Sequence, residues 1–110
     1  MRVLHLIAPL RMNVVELYLT LPGRRTPAPA DLTLLADILW AHSGTDSGVE
    51  HIRAKAGAGY GAVTLVFLVS AAIPHPEKRM RQLVEMAVAR SPFLTGALVS
   101  CPIEPFEEED

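Results

Sequence analysis

The sequence predicts an α+β sandwich in which a four-stranded antiparallel sheet carries two helices on one face, in the order β-α-β-β-α-β. Three stretches carry that prediction. The segment from Gly61 to Ser70 is the most apolar in the chain, is rich in β-branched residues and follows a run of glycines. It reads as a central strand, apolar on both faces. In the segment from Met12 to Leu21, Val15, Leu17, Leu19 and Leu21 alternate with Val14, Glu16, Tyr18 and Thr20, the period of a strand with one apolar face. Further on, Met80, Leu83, Val84, Ala87 and Val88 recur at i, i+3, i+4, i+7 and i+8, the stripe of an amphipathic helix.

The remaining elements fall between these. Residues 2–8 alternate weakly and form a short strand of their own or lengthen the first one; Pro9 confines such a piece to an edge. Leu21 to Ala30 holds three prolines and a glycine and reads as a loop. Asp31 is placed as the N-cap of a first helix over about 31–43, on the spacing of Leu32, Leu35, Ile38, Leu39 and His42, with Trp40 and Leu34 on its flanks and Gly44 at its C-terminal cap. Val49 to Ala56 alternates Glu50, Ile52, Ala54 and Ala56 with His51, Arg53 and Lys55, which suits an edge strand whose charges discourage edge-to-edge pairing. The glycines from Gly57 to Gly61 supply a hairpin into the central strand. Pro76 and Glu77 open the second helix, Ser91-Pro92 stops it near Arg90, and Thr95 to Cys101 is the last strand. The ferredoxin-like topology has this order and puts its first and third strands in the centre, where the two most apolar strands here belong.

At 110 residues the chain is expected to form one domain over 1–102, followed by an acidic tail over 103–110. Glu104, Glu107, Glu108, Glu109 and Asp110 hold five of the twelve acids, so the body has ten bases against seven acids, or +3. That is too mild for a nucleic-acid footprint. The single cysteine, Cys101, allows no internal disulfide, fits a reducing cytoplasm and reads as a buried thiol. His5, Pro9 and the charges Arg11, Glu16, Arg24 and Arg25 argue against a signal peptide. The run from Gly61 to Ile73 is too short to span a bilayer. No nucleic-acid and no membrane partner is therefore expected.

The chemistry-bearing residues do not converge. His5, His42, His51 and His75 show no metal-ligand spacing, and no cofactor is implied. Gly57, Gly59 and Gly61 lead into a strand, whereas a phosphate cradle needs a helix N-terminus beyond its glycines. Gly59, Tyr60, Gly61 and Val63 match part of the third-strand signature of RNA-recognition modules, but Ala58, Ala62 and Leu65 stand where that signature has a base and two aromatics, so the stacking platforms are missing.

Two features point further. In the predicted topology both helices cover one sheet face, while the third strand offers Ala62, Val66 and Leu68 to the other, beside Val14 and Tyr18. Lone subunits rarely leave such a patch bare, so a second copy, the N-terminal segment or tail, or a ligand is expected to cover it, the second copy first. Glu16, Tyr18, Thr64, Val66 and Leu68 are the residues expected in that interface or pocket. If the face is instead a catalytic pocket of the dimeric α+β barrel type, Asn13, Glu16, Tyr18 and Thr64 are its polar groups, and covering Glu16 raises its pKa.

The second feature is a resemblance. Leu21-Pro22-Gly23-Arg24 at the first strand–helix junction and Gly48-Val49-Glu50-His51-Ile52 at the start of the second strand resemble short motifs of ACT domains, small-molecule-sensing modules of the same fold. The resemblance covers about residues 13–100 and is chiefly one of layout; the first loop here is longer and richer in proline. It implies a ligand site lined by Gly23, Arg24 and the first turn from Asp31, at a subunit interface. The expectation from sequence is thus a non-catalytic regulatory or interaction module, a homodimer, sensing a small metabolite, with a small enzyme as the alternative.

Overall fold

A computed structural model describes residues 12–24, 26–44 and 47–100. The sheet consists of β1 (Met12–Thr20), β2 (Val49–Ala56), β3 (Ala62–Ser70) and β4 (Leu98–Ser100), with helices α1 (Pro29–Ser43) and α2 (Pro76–Arg90). The strand order is β2-β3-β1-β4 and every pairing is antiparallel. This is the ferredoxin-like α+β fold, with β1 and β3 in the middle.

The central pair is in unbroken register over nine positions, from Met12 opposite Ser70 to Thr20 opposite Ala62. Because strand side chains alternate, that register sends Val15, Leu17 and Leu19 to the same side as Val63, Leu65, Phe67 and Val69. All seven are buried, and they join Leu35 and Leu39 of α1 and Met80, Leu83, Val84 and Ala87 of α2 in one core. Both helices therefore lie on this side, α1 over β2 and α2 over β1.

The ends of the elements carry the differences from expectation. Helix α1 begins at Pro29, inside the stretch expected to be irregular. A proline is at home in the first turn because its missing N–H has no intrahelical partner there. The N-cap is consequently Ala28, not Asp31. Asp31 is the third helical residue, and its carboxylate accepts the Ala28 backbone N–H at 2.9 Å, satisfying one of the donors a helix start leaves free. The last strand starts later than predicted. After a 3₁₀ turn over Pro92–Leu94, the Ala97 N–H donates to the Leu94 carbonyl at 2.9 Å, and pairing begins only at Leu98. The expected short strand at 2–8, Cys101 and the acidic tail lie outside the described residues.

Strand β2 enters through Gly48, whose φ of +79° suits glycine alone. Its carbonyl accepts the Ser70 N–H at 2.8 Å, fastening the start of β2 to the end of β3. A Cβ added at Gly48 would run into the Ile73 side chain. The next residues form a bulge: Val49 pairs with Val69 but His51 pairs with Leu68, so Glu50 is the extra residue. At the other end, the Gly57 N–H donates to the Ala62 carbonyl at 2.9 Å and closes the hairpin. Among the described residues no helix is long and apolar enough to cross a membrane.

Gly48→Ala is expected to lower stability by about 1–2 kcal/mol through the disfavoured φ alone, and further through the collision with Ile73. Urea unfolding monitored by circular dichroism measures the loss.

Candidate interaction face of the sheet

The side of the sheet away from the helices is set by the same alternation. Its residues fall into rows across the strands, fixed by the two registers. Val14, Leu68 and His51 form one row; Glu16, Val66 and Arg53 the next; Tyr18, Thr64 and Lys55, with Ser100 on β4, a third. Thr20, Ala62 and Leu98 make a fourth. The β3 members of these rows are only half-buried, whereas on the helix side Leu65, Phe67 and Val69 are fully enclosed. On β1 and β4 the exposure is larger: 67% for Val14, 39% for Tyr18 and 69% for Leu98. Isolated apolar residues on a surface are ordinary, but a contiguous set across three strands is not.

Charge on this face is sorted by strand. In the paired rows Glu16 on β1 is the acid and His51, Arg53 and Lys55 on β2 are the bases, while β3 between them carries none; β2 also carries the exposed Glu50, at the bulge outside these rows. Glu16 makes no ion pair with Arg53 or Lys55 among the described residues. The two strands are separated by the width of β3, about 10 Å, so a direct cross-sheet pair would require both side chains to lean over Val66.

The face ends in a hollow of about 500 Å³ beside the β2–β3 turn, lined by Tyr18, Thr20, Ala62, Thr64, Ser100 and the backbone near Gly57 and Ala58. It takes in Tyr18 and Thr64 of the expected site but not Glu16, Val66 or Leu68, which lie one or two rows further along the face. Ser100 and the Gly57–Ala58 turn were not foreseen as lining residues; only the strand pairing and the hairpin bring them there. A second hollow, of about 410 Å³, runs between α1 and the outer edge of β2, where Trp40 is 41% exposed.

The residues implied by the ACT resemblance are placed apart from this face. Gly23, exposed and with φ of +70°, sits in a short turn over Pro22–Arg24, and the Asp31 carboxylate is engaged with the Ala28 N–H at the start of its own helix. Tyr60, part of the RNA-module match, is 80% exposed in the hairpin turn and not on the sheet. His75 is an exposed residue in the left-handed region, with φ of +50°, at the start of α2. Among the described residues no three of His, Cys, Asp and Glu are grouped to hold a metal ion.

Fold and face together define a ferredoxin-like domain with one sheet face that neither helix covers. No protein-family model, no curated protein and no solved structure matches the chain.

Asp31→Ala is expected to cost up to about 1 kcal/mol of stability, the scale of a helix N-terminal hydrogen bond, while leaving the mass in solution unchanged. Thermal unfolding and sedimentation equilibrium check the two parts.

Proposed function

We propose that this chain is a non-catalytic interaction module that works through the open face of its sheet, as a homodimer. The observation that carries this reading is the apolar β3 stripe of Ala62, Val66 and Leu68, half-buried and flanked by exposed Val14 and Tyr18, on the side that neither helix covers. Association would remove that surface from water, at about 25 cal/mol per Å² of apolar area before the cost of association is met. The enzymatic reading is weaker, because it needs Glu16 beside Tyr18 in a pocket and the hollow does not include Glu16.

A regulatory role through a small molecule has one observation in its favour, the hollow at the Tyr18–Thr64 end of the face. Its mixed lining of a phenol, hydroxyls and small apolar residues suits a small amphipathic metabolite. Such a site would lie at the rim of the proposed interface, so a ligand there would act on assembly.

Leu68→Asp places a charge at one end of the stripe without touching the core. The expected result is a folded monomer by circular dichroism and sedimentation, where the parent chain is a dimer. A parent chain that stays monomeric at millimolar concentration overturns the proposal.

A further inference from the structure

The registers on the open face also constrain how a second copy would sit on it. A symmetric face-to-face pair has its two-fold axis in the plane between the sheets, and three placements of it relative to the strands differ in which charges they bring together. With the axis perpendicular to the strands, each strand faces its own copy, and His51, Arg53 and Lys55 on β2 meet the same three bases. Like charges across a closed interface are repelled by several kcal/mol in general, so this placement fails. With the axis along the strands between β3 and β1, Glu16 faces Val66 of the partner subunit, and a carboxylate is closed off against an apolar side chain with no base to meet it.

With the axis along β3, the outcome is different. The rotation keeps the level along the strand and exchanges left for right, so β1 of one subunit lies over β2 of the other. Val66 and Leu68 stack on their own copies at the axis. Glu16 and Arg53 share the row of Val66, so Glu16 lies over the partner's Arg53, and the pair is repeated on the other side of the axis. Tyr18 lies over the partner's Lys55 and Val14 over the partner's His51 by the same operation. Two packed sheets stand about 10 Å apart, a gap that a glutamate and an arginine close between them. The modest angle between aligned sheets shifts the flanking strands by only a few ångströms.

From this we infer that the partner on the open face is a second copy of this chain, docked with its two-fold axis along β3, and that the Glu16 carboxylate and the Arg53 guanidinium of opposite subunits form two symmetric ion pairs on either side of the apolar stripe. The inference rests on the homodimer reading and specifies it. The overlap comprises three strands, about 14 Å wide and 30 Å long, roughly 400 Å² per subunit against the about 800 Å² per partner of a standard interface, so association is expected to be weak, on the order of hundreds of micromolar. Strand β4 lies outside the overlap, and Leu98 takes no part.

The test is a charge exchange in trans. Glu16→Lys and Arg53→Glu are made separately in the full chain, checked by circular dichroism, and their masses followed by sedimentation equilibrium over a range of concentrations. Each variant alone is expected to dimerise at least tenfold more weakly than the parent. An equimolar mixture is expected to recover the parent's affinity, because in the mixed dimer Lys or Arg meets Glu on both sides. Leu98→Asp is expected to leave the dimer unchanged. If the parent is monomeric, this inference falls together with the homodimer reading. If the parent dimerises and Leu68→Asp breaks the dimer, but the single charge variants do not weaken it or their mixture does not restore it, the homodimer reading stands and the axis along β3 is overturned. An ion pair within one chain would give no rescue on mixing and overturns it equally.

Discussion

The structure depends on the pairing of β1 with β3. Nine consecutive pairs fix which side of every residue faces the helices. The cost of a slip holds that register in place. Moving β1 by one position would take Val15, Leu17 and Leu19 out of a core in which they are almost wholly enclosed and put Val14, Glu16 and Tyr18 in their place. A carboxylate and a phenol would then be enclosed beneath the helices. The core therefore dictates the open face as well: once Leu17 and Leu65 are inside, Glu16, Tyr18, Thr64 and Val66 have no choice but to be outside.

Strong local patterns made much of this legible from sequence. The bounds of β2 and α2 follow from alternation and from a 3.6-residue stripe bounded by Pro76 and Ser91-Pro92, and the structure has them where those signals put them. Weaker signals misled. Three prolines lying close together point to a loop at Pro29, although the first turn of a helix accepts one. The Thr95-Gly96 pair was read into the last strand, where it is a turn. The expected face residues were legible because period two is local. Their rows were not, since a row depends on the offset between strands. The bulge at Glu50 decides that His51, Arg53 and Lys55 stand level with Leu68, Val66 and Thr64, and no pattern within β2 reveals it. The hollow was out of reach for the same reason, as its walls come from four separate segments.

The edges of the sheet bear on what the open face is for. An exposed edge offers unpaired N–H and C=O groups to any other strand, and proteins blunt it with charge, bulges or brevity. Here one edge, β2, is bulged at its start and carries Arg53 and Lys55. That edge thus carries features that oppose lateral pairing. The face carries the opposite features: its middle strand is free of charge and its apolar residues are contiguous.

Charge placement sharpens the contrast. A face selected only to remain in water would gain most from charges on its central strand, where they would break the apolar stripe. Instead β3 carries none, while Glu16 on β1 and Arg53 on β2 stand at the same level on either side of it. Within a single subunit that sorting does little, because the opposite charges are separated by β3 and surface pairs at such distances are screened by salt and worth a fraction of a kcal/mol. Across a two-fold axis along β3 the same sorting superimposes each acid on a base. The arrangement is costly for the perpendicular axis and for the axis between β3 and β1 and favourable for that one, and it is in this sense, as a device for choosing among orientations and not as a source of raw affinity, that charge acts in interfaces generally.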